Sequence, residues 1–535
     1  MSHAIDWQTP AAISPDLNGP LDAPLLPWPE DFPGRSIFAC FETLVAADPA
    51  ALAATDGTTR WSRAELHAEV LRLAGLLAAR APGRGAIGLL LPSGPLALAA
   101  VLACSAAGRP GLLLNPHNPA ERNLATLRDA APDAVLAVAA TRLTATDWPW
   151  LDALAPAAPL GAALPRLPLH APALVIYTSG STGQPKGMVL SERIELLRAW
   201  RNARLLRLHP ADRMLVLNGL SSIAGLGGCM AALLSGTGVL MPDLQQQGAR
   251  RVLRLAQQKG ATVMLGIPAV LRMLLALDGN GAATARLRAV RTTGTGLLAL
   301  ELAEWRQRLP PGCRITLSYG QTEVAIADWW VPDGFVAEAA ALPGGYMLDN
   351  IRYAILDPAG QPVPPGEAGE LLVSSEAVLL GEWHGGRCLP GAIRPDPADP
   401  SRRVMRTGDL VRLRPDGLLQ VLGRCDRQAK VRGVRVELAE VEAVLRATPG
   451  VADAVVVASR AEAGGGDATL LGFVLPAPGT EAAALPAALR QALARALPAA
   501  MHPAALHCLA AFPRLPGGKV DEAALLAAAE PAAPG

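Results

Sequence analysis

Lysine is scarce in this sequence, and positive and negative charges are nearly balanced. Only four of the 48 lysine and arginine residues are lysines, at positions 186, 259, 430 and 519. The formal net charge is +1, which gives no broad basic field of the kind that binds nucleic acid or an anionic membrane. The composition therefore predicts no nucleic-acid partner.

Cysteine pairs and long apolar runs are also missing. The seven cysteines show no CxxC spacing, which disfavours a zinc site and indicates small buried side chains in a reducing compartment. The most hydrophobic window, residues 86–108, is interrupted by Pro92, Gly94 and Pro95, so it predicts a buried strand and a buried helix and not a membrane span. Residues 1–34 carry acids and prolines where a signal peptide would carry a basic and then an apolar segment, so a cytoplasmic location is expected.

What the sequence does contain is enough apolar residues for several cores. Of the 535 residues, 51% are hydrophobic and 18% are charged, and single cores stop growing near ~250 to 300 residues. Short apolar runs alternate with longer helix-like segments, which predicts parallel α/β layers. The predicted strands include 86–91, 111–114, 134–138, 173–177, 213–217, 262–265 and 314–317, and the predicted helices include 63–79 and 250–259.

The pattern of residues changes along the chain and predicts its domains. Residues 1–35 are a proline-rich lead-in, and residues 36–424 are a large N-terminal domain. Between about 343 and 422, short strands and turn signals predict a β-rich subdomain within it. Residues 426–530 alternate strands with helices and have the length of a small α+β domain.

The stretch Tyr177–Gly187, "YTSGSTGQPKG", predicts a loop that holds phosphates. Its glycines let the backbone approach an anion and turn N–H groups inward, and its four hydroxyl side chains add donors. We expect this loop between a strand that ends at Tyr177 and a following helix. It is not a Walker A loop, because Lys186 is followed by Gly187. A Ser/Gly-rich surface linker is the alternative, but linkers rarely follow a buried strand directly.

Further motifs follow this loop in a definite order. They are "YGQTE" at 319–323, "RTGD" at 406–409, "GRCDRQAKVRGVRVELAEVE" at 423–442 and "LPGGKVD" at 515–521. Together with the glycine-rich loop, they resemble the core motifs of the adenylate-forming superfamily, which includes acyl-CoA synthetases, adenylation domains of nonribosomal peptide synthetases and luciferases. The similarity extends from about Phe38 to Leu526.

This resemblance implies both a fold and an activity. The fold would be α/β, with a large N-terminal domain of two α/β subdomains plus a distorted β-barrel subdomain, followed by a small mobile α+β C-terminal domain. The activity would be the ATP- and Mg²⁺-dependent conversion of a small carboxylic acid to acyl-AMP, followed by transfer of the acyl group to a phosphopantetheine thiol. Use of the acyl-AMP for amide, lactone or other bonds is the alternative, and a non-catalytic ligand-binding protein is a second one.

The resemblance also assigns roles to individual residues. Lys519 would bridge the substrate carboxylate and the α-phosphate, Thr322 would donate to the α-phosphate, and Glu323 would be a Mg²⁺ ligand, consistent with its hard oxygens. Asp409 and Arg424 would lie at the ribose. The residues implied in ATP and AMP binding are Thr178, Ser179, Gly180, Ser181, Thr182, Gly183, Lys186, Gly294, Thr295, Gly296, Tyr319, Gly320, Asp409 and Arg424. Each of these, taken alone, would be explained as a turn residue or a surface charge.

A hinge and a second chemical step are implied near residue 426. Asp426 matches the residue about which the C-terminal domain turns in the superfamily. Lys430 and Gly433 lie on the stretch that this rotation brings to the active site for thioester formation. No segment with a carrier-protein serine motif follows Asp521, so we expect the thiol to act in trans, as coenzyme A or a separate phosphopantetheinylated carrier protein. The sequence leaves open which of the two is used.

The stretch "LSSIAGLGG", residues 220–228, resembles the segment that shapes the acyl pocket. Ser222, Ile223 and Gly225 are therefore candidate pocket residues. Ile223 stands where amino-acid-activating domains place an amine-binding aspartate, so a standard α-amino acid is disfavoured as the substrate. Trp329 and Trp330 would either line this pocket or belong to the core.

Overall fold

The computed structural model shows a mixed α/β protein with a large N-terminal part and a smaller C-terminal part. It describes residues 7–10, 34–144, 147–161, 167–178, 185–294, 296–337, 341–459, 468–481, 485–514 and 520–529.

The first elements of the chain are helices and strands, and all of these strands except the first two belong to a mostly parallel sheet. They are α1 (Ile37–Ala47), β1 (Leu52–Thr55), β2 (Arg60–Ser62), α2 (Arg63–Arg80), β3 (Ile87–Leu90), α3 (Pro95–Ala106), β4 (Gly111–Leu113), α4 (Ala120–Ala130), β5 (Ala134–Ala137), β6 (Trp150–Asp152), β7 (Pro172–Thr178) and β8 (Lys186–Ser191). The central strands β3, β4 and β5 are buried along their whole length. Continuous apolar runs of this kind are typical of parallel strands covered on both faces, which is why the sequence predicted them.

The middle of the chain contributes six of the fourteen strands of a second, larger sheet. Its elements are α5 (Glu192–Leu205), β9 (Arg213–Val216), α6 (Ile223–Leu234), β10 (Gly238–Leu240), α7 (Leu244–Gln247), α8 (Ala249–Lys259), β11 (Val263–Gly266), α9 (Pro268–Leu277), β12 (Ala289–Thr293), α10 (Ala299–Arg308), β13 (Arg314–Gly320) and β14 (Ala325–Trp330). Helix α8 ends at Lys259, and Gly260 follows with φ +63°. A left-handed residue after the last turn is the usual helix stop.

The predicted β-rich region continues this second sheet. It contains β15 (Gly345–Met347), β16 (Arg352–Leu356), β17 (Gly369–Ser375), β18 (Gly381–His384), β19 (Arg387–Leu389), β20 (Arg394–Asp396), β21 (Asp399–Leu413) and β22 (Leu418–Arg424). The fourteen-stranded sheet runs in the order β16-β17-β21-β22-β15-β14-β13-β12-β11-β9-β10-β1-β2, with β20 paired to β21. The described strands thus form an open path, and no closed barrel is formed among them.

The other large sheet has eight strands, in the order β19-β18-β8-β7-β4-β3-β5-β6. Strands β7 and β8 pair antiparallel, and Thr178 lies opposite Lys186. The element after the glycine-rich loop is therefore a strand, and the helix α5 begins only at Glu192. The prediction of a helix directly after this loop was wrong, because the buried residues Met188, Val189 and Leu190 pair with β7 instead.

The C-terminal part has its own small hydrophobic core. Its elements are β23 (Gln428–Val431), β24 (Val434–Glu437), α11 (Leu438–Arg446), β25 (Val451–Ser459), β26 (Thr469–Pro476), α12 (Leu485–Ala496), a 3₁₀ turn (Ala499–Met501), β27 (Ala505–Cys508) and α13 (Glu522–Ala529). Strands β25, β26 and β27 form a three-stranded sheet, and β23 and β24 form a separate hairpin. Strand β22 ends at Arg424 and β23 begins at Gln428, so the predicted pivot, Asp426, lies in the short connection between them.

Several smaller expectations can be compared with the structure. Trp329 and Trp330 are buried in the two main hydrophobic clusters, and neither lines the cavities described below. Three of the cysteines are buried, but Cys425 is exposed, so the expectation of buried cysteines fails there. Within the described residues, every helix is too short or too polar to cross a membrane.

Candidate functional site

Two connected cavities lie where the strands of the second sheet end. The larger has a volume of about 350 Å³ and the smaller about 140 Å³. Both are lined by Gly294, just after β12, by Ser318 and Gly320 at the end of β13, and by Arg424 and Lys430. In α/β sheets, ligands bind beyond the carboxyl ends of parallel strands, so this position is expected for a binding site.

The smaller cavity brings together the residues predicted for adenine and ribose. Gly294, Gly296, Tyr319, Asp409 and Arg424 all line it. Gly294 has φ +98°, a conformation that favours glycine. These residues come from four separate segments of the chain, and they meet because β12, β13, β21 and β22 belong to one sheet.

Asp409 is held by several donors in this cavity. Its Oδ1 accepts a hydrogen bond of 2.8 Å from Arg424 Nη1. Its Oδ2 accepts one from the hydroxyl of Tyr319 and one of 2.9 Å from Gln321 Nε2. The carboxylate is only 2% exposed, so it is fixed in position.

The charges around Asp409 set its ionisation. Burial raises the pKa of Asp409, but the charges of Lys430 and Arg424 and the hydrogen bonds from Tyr319 and Gln321 outweigh it, so the pKa lies below its usual range. Burial and the neighbouring Asp409 raise the pKa of Tyr319. Burial lowers the pKa of Lys430, although Asp409 acts in the opposite direction. Asp409 is therefore a firmly anionic group facing a neutral phenol.

Glu323 forms an ion pair with the C-terminal hairpin. Arg435 Nη1, on β24, lies 2.9 Å from Oε1 and 3.0 Å from Oε2 of Glu323. The preceding residue, Thr322, lines the larger cavity, and its carbonyl oxygen accepts a hydrogen bond of 3.1 Å from Arg198. The hairpin of β23 and β24 thus reaches the residues predicted to surround the α-phosphate and the metal.

The turn of this hairpin packs against the end of β12. A side-chain carbon added to Gly294 would come within 3.3 Å of the Gly433 Cα, and one added to Gly433 would come within 2.6 Å of Ile267 Cγ2. Lys430 Nζ lies 5.7 Å from the centre of the Tyr319 ring. Glycine at 294 and 433 permits this close contact, and Lys430 faces both cavities as a result.

The charged residues that line the larger cavity are all basic. None of the described residues that line it is an aspartate or a glutamate. Its basic residues are Arg122, Arg198, Arg201, Arg291, Arg424, Lys430 and Arg435. A cavity of this composition favours anionic ligands.

The predicted pocket residues differ in what they contribute. Ile223 and Ser222 line the larger cavity. The Ser222 hydroxyl caps α6, since it accepts a hydrogen bond of 3.1 Å from Gly225 N and donates one of 2.7 Å to Gly219 O. Gly225 is buried behind them, and a side-chain carbon there would lie 2.1 Å from Gly219 O. Gly225 therefore permits close packing and does not line the cavity.

The phosphate-loop residues are only partly described. Thr178 lines the larger cavity, and Lys186 Nζ lies 3.7 Å from Glu382 Oε1. Residues Ser179, Gly180, Ser181, Thr182 and Gly183 of this loop, together with Thr295 and Lys519, lie outside the described residues.

Several residues of the site were not singled out from the sequence. Arg435 was quoted within a motif but received no role, and Gln321, Arg198, Arg201 and Arg291 were not considered. Arg291 did leave a signal, because it is a charged residue in the middle of the strand-like run "AVRTT". A buried charge in a strand usually has a partner or a ligand.

Comparisons with known proteins agree with this architecture. The family described as AMP-binding enzyme matches residues 41–383, and its C-terminal domain matches residues 440–519. The chain is 35% identical over 503 residues to CymA of Salinispora arenicola (strain CNS-205), described as a probable nonribosomal peptide synthetase, covering 91% of this chain but 6% of that protein. It is 32% identical to surfactin synthase subunit 1 of Bacillus subtilis (strain 168), covering 86% of this chain and 13% of that one.

Solved structures show the same fold. PA1221, a nonribosomal peptide synthetase protein containing adenylation and PCP domains, superimposes with a TM-score of 0.76 at 25% identity and covers 94% of this chain and 99% of its own. The o-succinylbenzoate CoA synthetase of Bacillus subtilis gives a TM-score of 0.76 at 22% identity, covering 92% and 98%.

The fold and the gathered motifs define a member of the adenylate-forming superfamily. More specifically, the chain belongs to the AMP-binding enzyme family.

Proposed function

We propose that this protein activates a small carboxylic acid as acyl-AMP and then passes the acyl group to a phosphopantetheine thiol. The observation that carries this proposal is the meeting of three distant segments around two cavities: the end of β12, the "YGQTE" segment, and the stretch from Asp409 to Arg435. A nucleotide in the smaller cavity and an acid in the larger one would share the wall formed by Gly294, Ser318 and Gly320.

The first step joins the acid to AMP. A carboxylate oxygen of the acid attacks the α-phosphorus of ATP, and the bond to pyrophosphate breaks. Asp409 would accept hydrogen bonds from the ribose, with Arg424 beside it, and Thr322 and Lys519 would donate to the α-phosphate region. These groups supply the positive charge and hydrogen-bond donors that two approaching anions require.

Mg²⁺ would be held by Glu323, and it would neutralise phosphate charge. The carboxylate oxygens suit this ion, and the Glu323 side chain is only 12% exposed, beside the larger cavity. Both oxygens also contact Arg435 in this arrangement. Metal binding at these atoms would therefore require the hairpin to withdraw.

The second step transfers the acyl group. The thiol sulfur bonds to the acyl carbon, the bond to AMP breaks, and the thiol proton is released to solvent. The hairpin carrying Lys430 and Gly433 would stay at the cavity during this step, and turning about Asp426 would remove it before the next round. The position of Lys430 over Tyr319 supports this assignment.

The acceptor would be coenzyme A or a phosphopantetheinylated carrier protein. Similarity to surfactin synthase subunit 1 and to PA1221, which contains a PCP domain, makes a carrier protein the first acceptor to test. The wider likeness to a CoA synthetase concerns the fold alone.

Carboxylate-dependent exchange of pyrophosphate into ATP tests the first step, and it ranks candidate acids at the same time. We expect exchange with at least one acid. The acid that reacts is then offered with coenzyme A, with a carrier protein and without any thiol. Consumption of acyl-AMP in the absence of a thiol would favour amide or lactone formation instead, and absence of exchange with every acid would contradict the proposed function.

A further inference from the structure

Three arginines line one region of the larger cavity, apart from the hairpin. Arg198 and Arg201 lie on α5, and Arg291 lies in the middle of β12. The Arg291 side chain is only 4% exposed. Burying a guanidinium group is costly unless its N–H groups find acceptors, so the partners of these arginines indicate whether the region is complete.

The partners leave two donor atoms unused. Arg291 Nη2 donates to Ser318 Oγ at 2.9 Å, to Asp328 Oδ1 at 3.1 Å and to Asn202 Oδ1 at 3.2 Å. Arg291 Nη1 is buried and has no hydrogen-bond acceptor within the described protein. Arg201 Nε has none either, since the carboxylate oxygen Asp328 Oδ2 lies 3.6 Å away, beyond hydrogen-bond distance. Two buried N–H donors, on two residues that line the same cavity, therefore lack a hydrogen-bond acceptor among the described residues.

The charges of this region do not balance internally. The three arginines face two buried carboxylates, Glu195 and Asp328. Glu323 also acts on Arg198, but it is already paired with Arg435, so the cluster keeps an excess of positive charge. Both oxygens of Glu195 lack hydrogen-bond partners, and burial raises its pKa to about 7, which reduces its charge further. Asp349 also acts on Arg201, but it is exposed, and water screens its charge.

Three other arginines of the larger cavity already have carboxylates. Arg122 pairs with Glu440, Arg424 pairs with Asp409 and Asp426, and Arg435 pairs with Glu323. Lys430, on the hairpin, is acted on by Asp409. Apart from the hairpin, the positive charge that remains for a ligand is therefore concentrated in the cluster of Arg198, Arg201 and Arg291.

We propose that the acid substrate carries a second carboxylate, remote from the reacting one, which accepts hydrogen bonds from Arg291 and Arg201. This inference rests on the proposed function and specifies its substrate class as dicarboxylic acids. A planar carboxylate can accept two parallel N–H donors from a guanidinium, which a single neutral oxygen cannot. It would supply both the missing acceptors and the missing negative charge.

The chain limits the separation of the two carboxyl groups. Ser318, which Arg291 contacts, lies on β13, and Thr322 follows four residues later, just after the end of that strand. At ~3.3 Å per residue these positions are at most about 13 Å apart. A diacid with one aromatic ring or a linear chain of six to eight carbons fits within this distance, and the cavity of about 350 Å³ is of the size that holds small ligands.

Matched pairs of acids test the inference through pyrophosphate exchange. Suberate is compared with octanoate, and terephthalate with its monomethyl ester and with 4-methylbenzoate. We expect kcat/KM to be at least tenfold higher for the diacid in the preferred pair. If acids support exchange but monoacids or the ester equal the diacids, the inference is wrong while the proposed function stands. If no acid supports exchange, the proposed function itself fails.

Substitutions at Arg291 test whether this residue causes the preference for diacids. Arg291→Met should lower the ratio of kcat/KM for the diacid to kcat/KM for the monoacid at least tenfold, and Arg291→Lys should restore part of this ratio. Arg288→Met is the matched control, since Arg288 lies just before the same strand but pairs with Asp212 and does not line the cavity. Because Arg291→Met leaves Asp328 short of a partner, the double variant Arg291→Met/Asp328→Asn keeps the test valid if the single variant unfolds. An unchanged preference in a folded variant would overturn the inference.

Discussion

Arg435 and Glu323 are 112 positions apart, yet one guanidinium nitrogen contacts both oxygens of the carboxylate, at 2.9 and 3.0 Å. Arg435 lies on the C-terminal hairpin, and Glu323 lies just after β13 of the large sheet. The pair therefore connects the two parts of the protein at the residue predicted to hold the metal. Arg435 would therefore compete with a Mg²⁺ ion for the same carboxylate.

Replacing Glu323 tests its assignment to the metal. Glu323→Gln should reduce acid-dependent exchange by about 10² to 10³-fold, since a neutral amide is a poorer Mg²⁺ ligand and one electrostatic contact is worth roughly 2.7 to 4 kcal/mol. Exchange is measured across a Mg²⁺ titration. Near-normal exchange at low Mg²⁺ would show that Glu323 is not at the metal.

Replacing Arg435 should lower the Mg²⁺ concentration that exchange requires, which is the opposite of the effect expected for Glu323→Gln. Arg435→Met frees Glu323, so half-maximal exchange should need about fivefold less Mg²⁺, corresponding to ~1 kcal/mol for a partly exposed ion pair. Without metal, small-angle scattering should show a larger radius of gyration for the variant, because a contact between the two parts is lost. Arg432→Met, at the exposed turn of the same hairpin, is the control. If both variants behave alike, the ion pair has no role in holding the hairpin.

The buried carboxyl group of Glu195 leads us to predict that the free energy of unfolding depends on pH. Its pKa is raised by burial from 4.5 to about 7, so the folded protein binds this proton more tightly than the unfolded chain does. The contribution of Glu195 to the free energy of unfolding should therefore be fully present below about pH 4.5 and should be lost as the pH rises through 7. Glu195→Gln should make this slope smaller, as judged by denaturant unfolding at several pH values.

The control for this experiment is Glu304→Gln, an exposed residue paired with Arg308 on α10. Glu192, also on α5, has its pKa raised to about 7 by burial as well, so some slope should remain in the Glu195 variant. An identical slope in the wild type and in Glu195→Gln would contradict the prediction.

The presence of Ile223 in the larger cavity leads us to predict which acids are poor substrates. Among the described residues that line the larger cavity there is no carboxylate to pair with an α-ammonium group, and leaving such a charge unpaired is costly. We expect acids without an α-amine to give faster exchange than any standard α-amino acid. Preferential exchange with a proteinogenic amino acid would refute this, and Ile223→Asp should shift the preference toward amino acids if the alignment is right.

Much of the fold could be predicted, because its strands are buried on both faces. The apolar runs that became β3, β9 and β11 each bury every residue or all but one, so their pattern survives in the sequence. The strand β8 was missed because the glycine-rich loop before it suggested a helix N-terminus. Nothing local distinguishes the two cases, since pairing with β7 decides the outcome.

The site divides in the same way. Asp409 and Tyr319 belong to short motifs that could be recognised before their positions were known, whereas Gly294 was named only through the resemblance to the superfamily. Arg291 could not be assigned, because its partners Ser318 and Asp328 lie 27 and 37 positions away and meet it only when β12, β13 and β14 align. Contacts of this range depend on sheet order, which the pattern of a single strand does not contain.

The two lysines of the C-terminal part should serve different half-reactions. Lys430 faces both cavities while the hairpin packs against Gly294, which is the arrangement expected for acyl transfer. Lys519→Ala should therefore lose exchange but still transfer the acyl group from supplied acyl-AMP. Lys430→Ala should keep exchange and slow the transfer. Lys259→Ala, at the end of α8 and away from the cavities, is the matched lysine control.

The connection at Asp426 should govern the change between these two arrangements. Asp426 lies in the short connection between β22 and β23. Its Oδ1 accepts hydrogen bonds from Arg424 Nε at 2.8 Å and from the backbone N–H of Gln428 at 3.3 Å. Asp426→Pro fixes φ at this position and should hinder rotation of the C-terminal part, so we expect it to slow one half-reaction much more than the other. Both half-reactions are measured for all of these variants with the acid that supports exchange. If Lys519→Ala and Lys430→Ala reduce exchange and transfer in equal proportion, the two lysines act in one arrangement, and alternation of the C-terminal part is wrong for this protein.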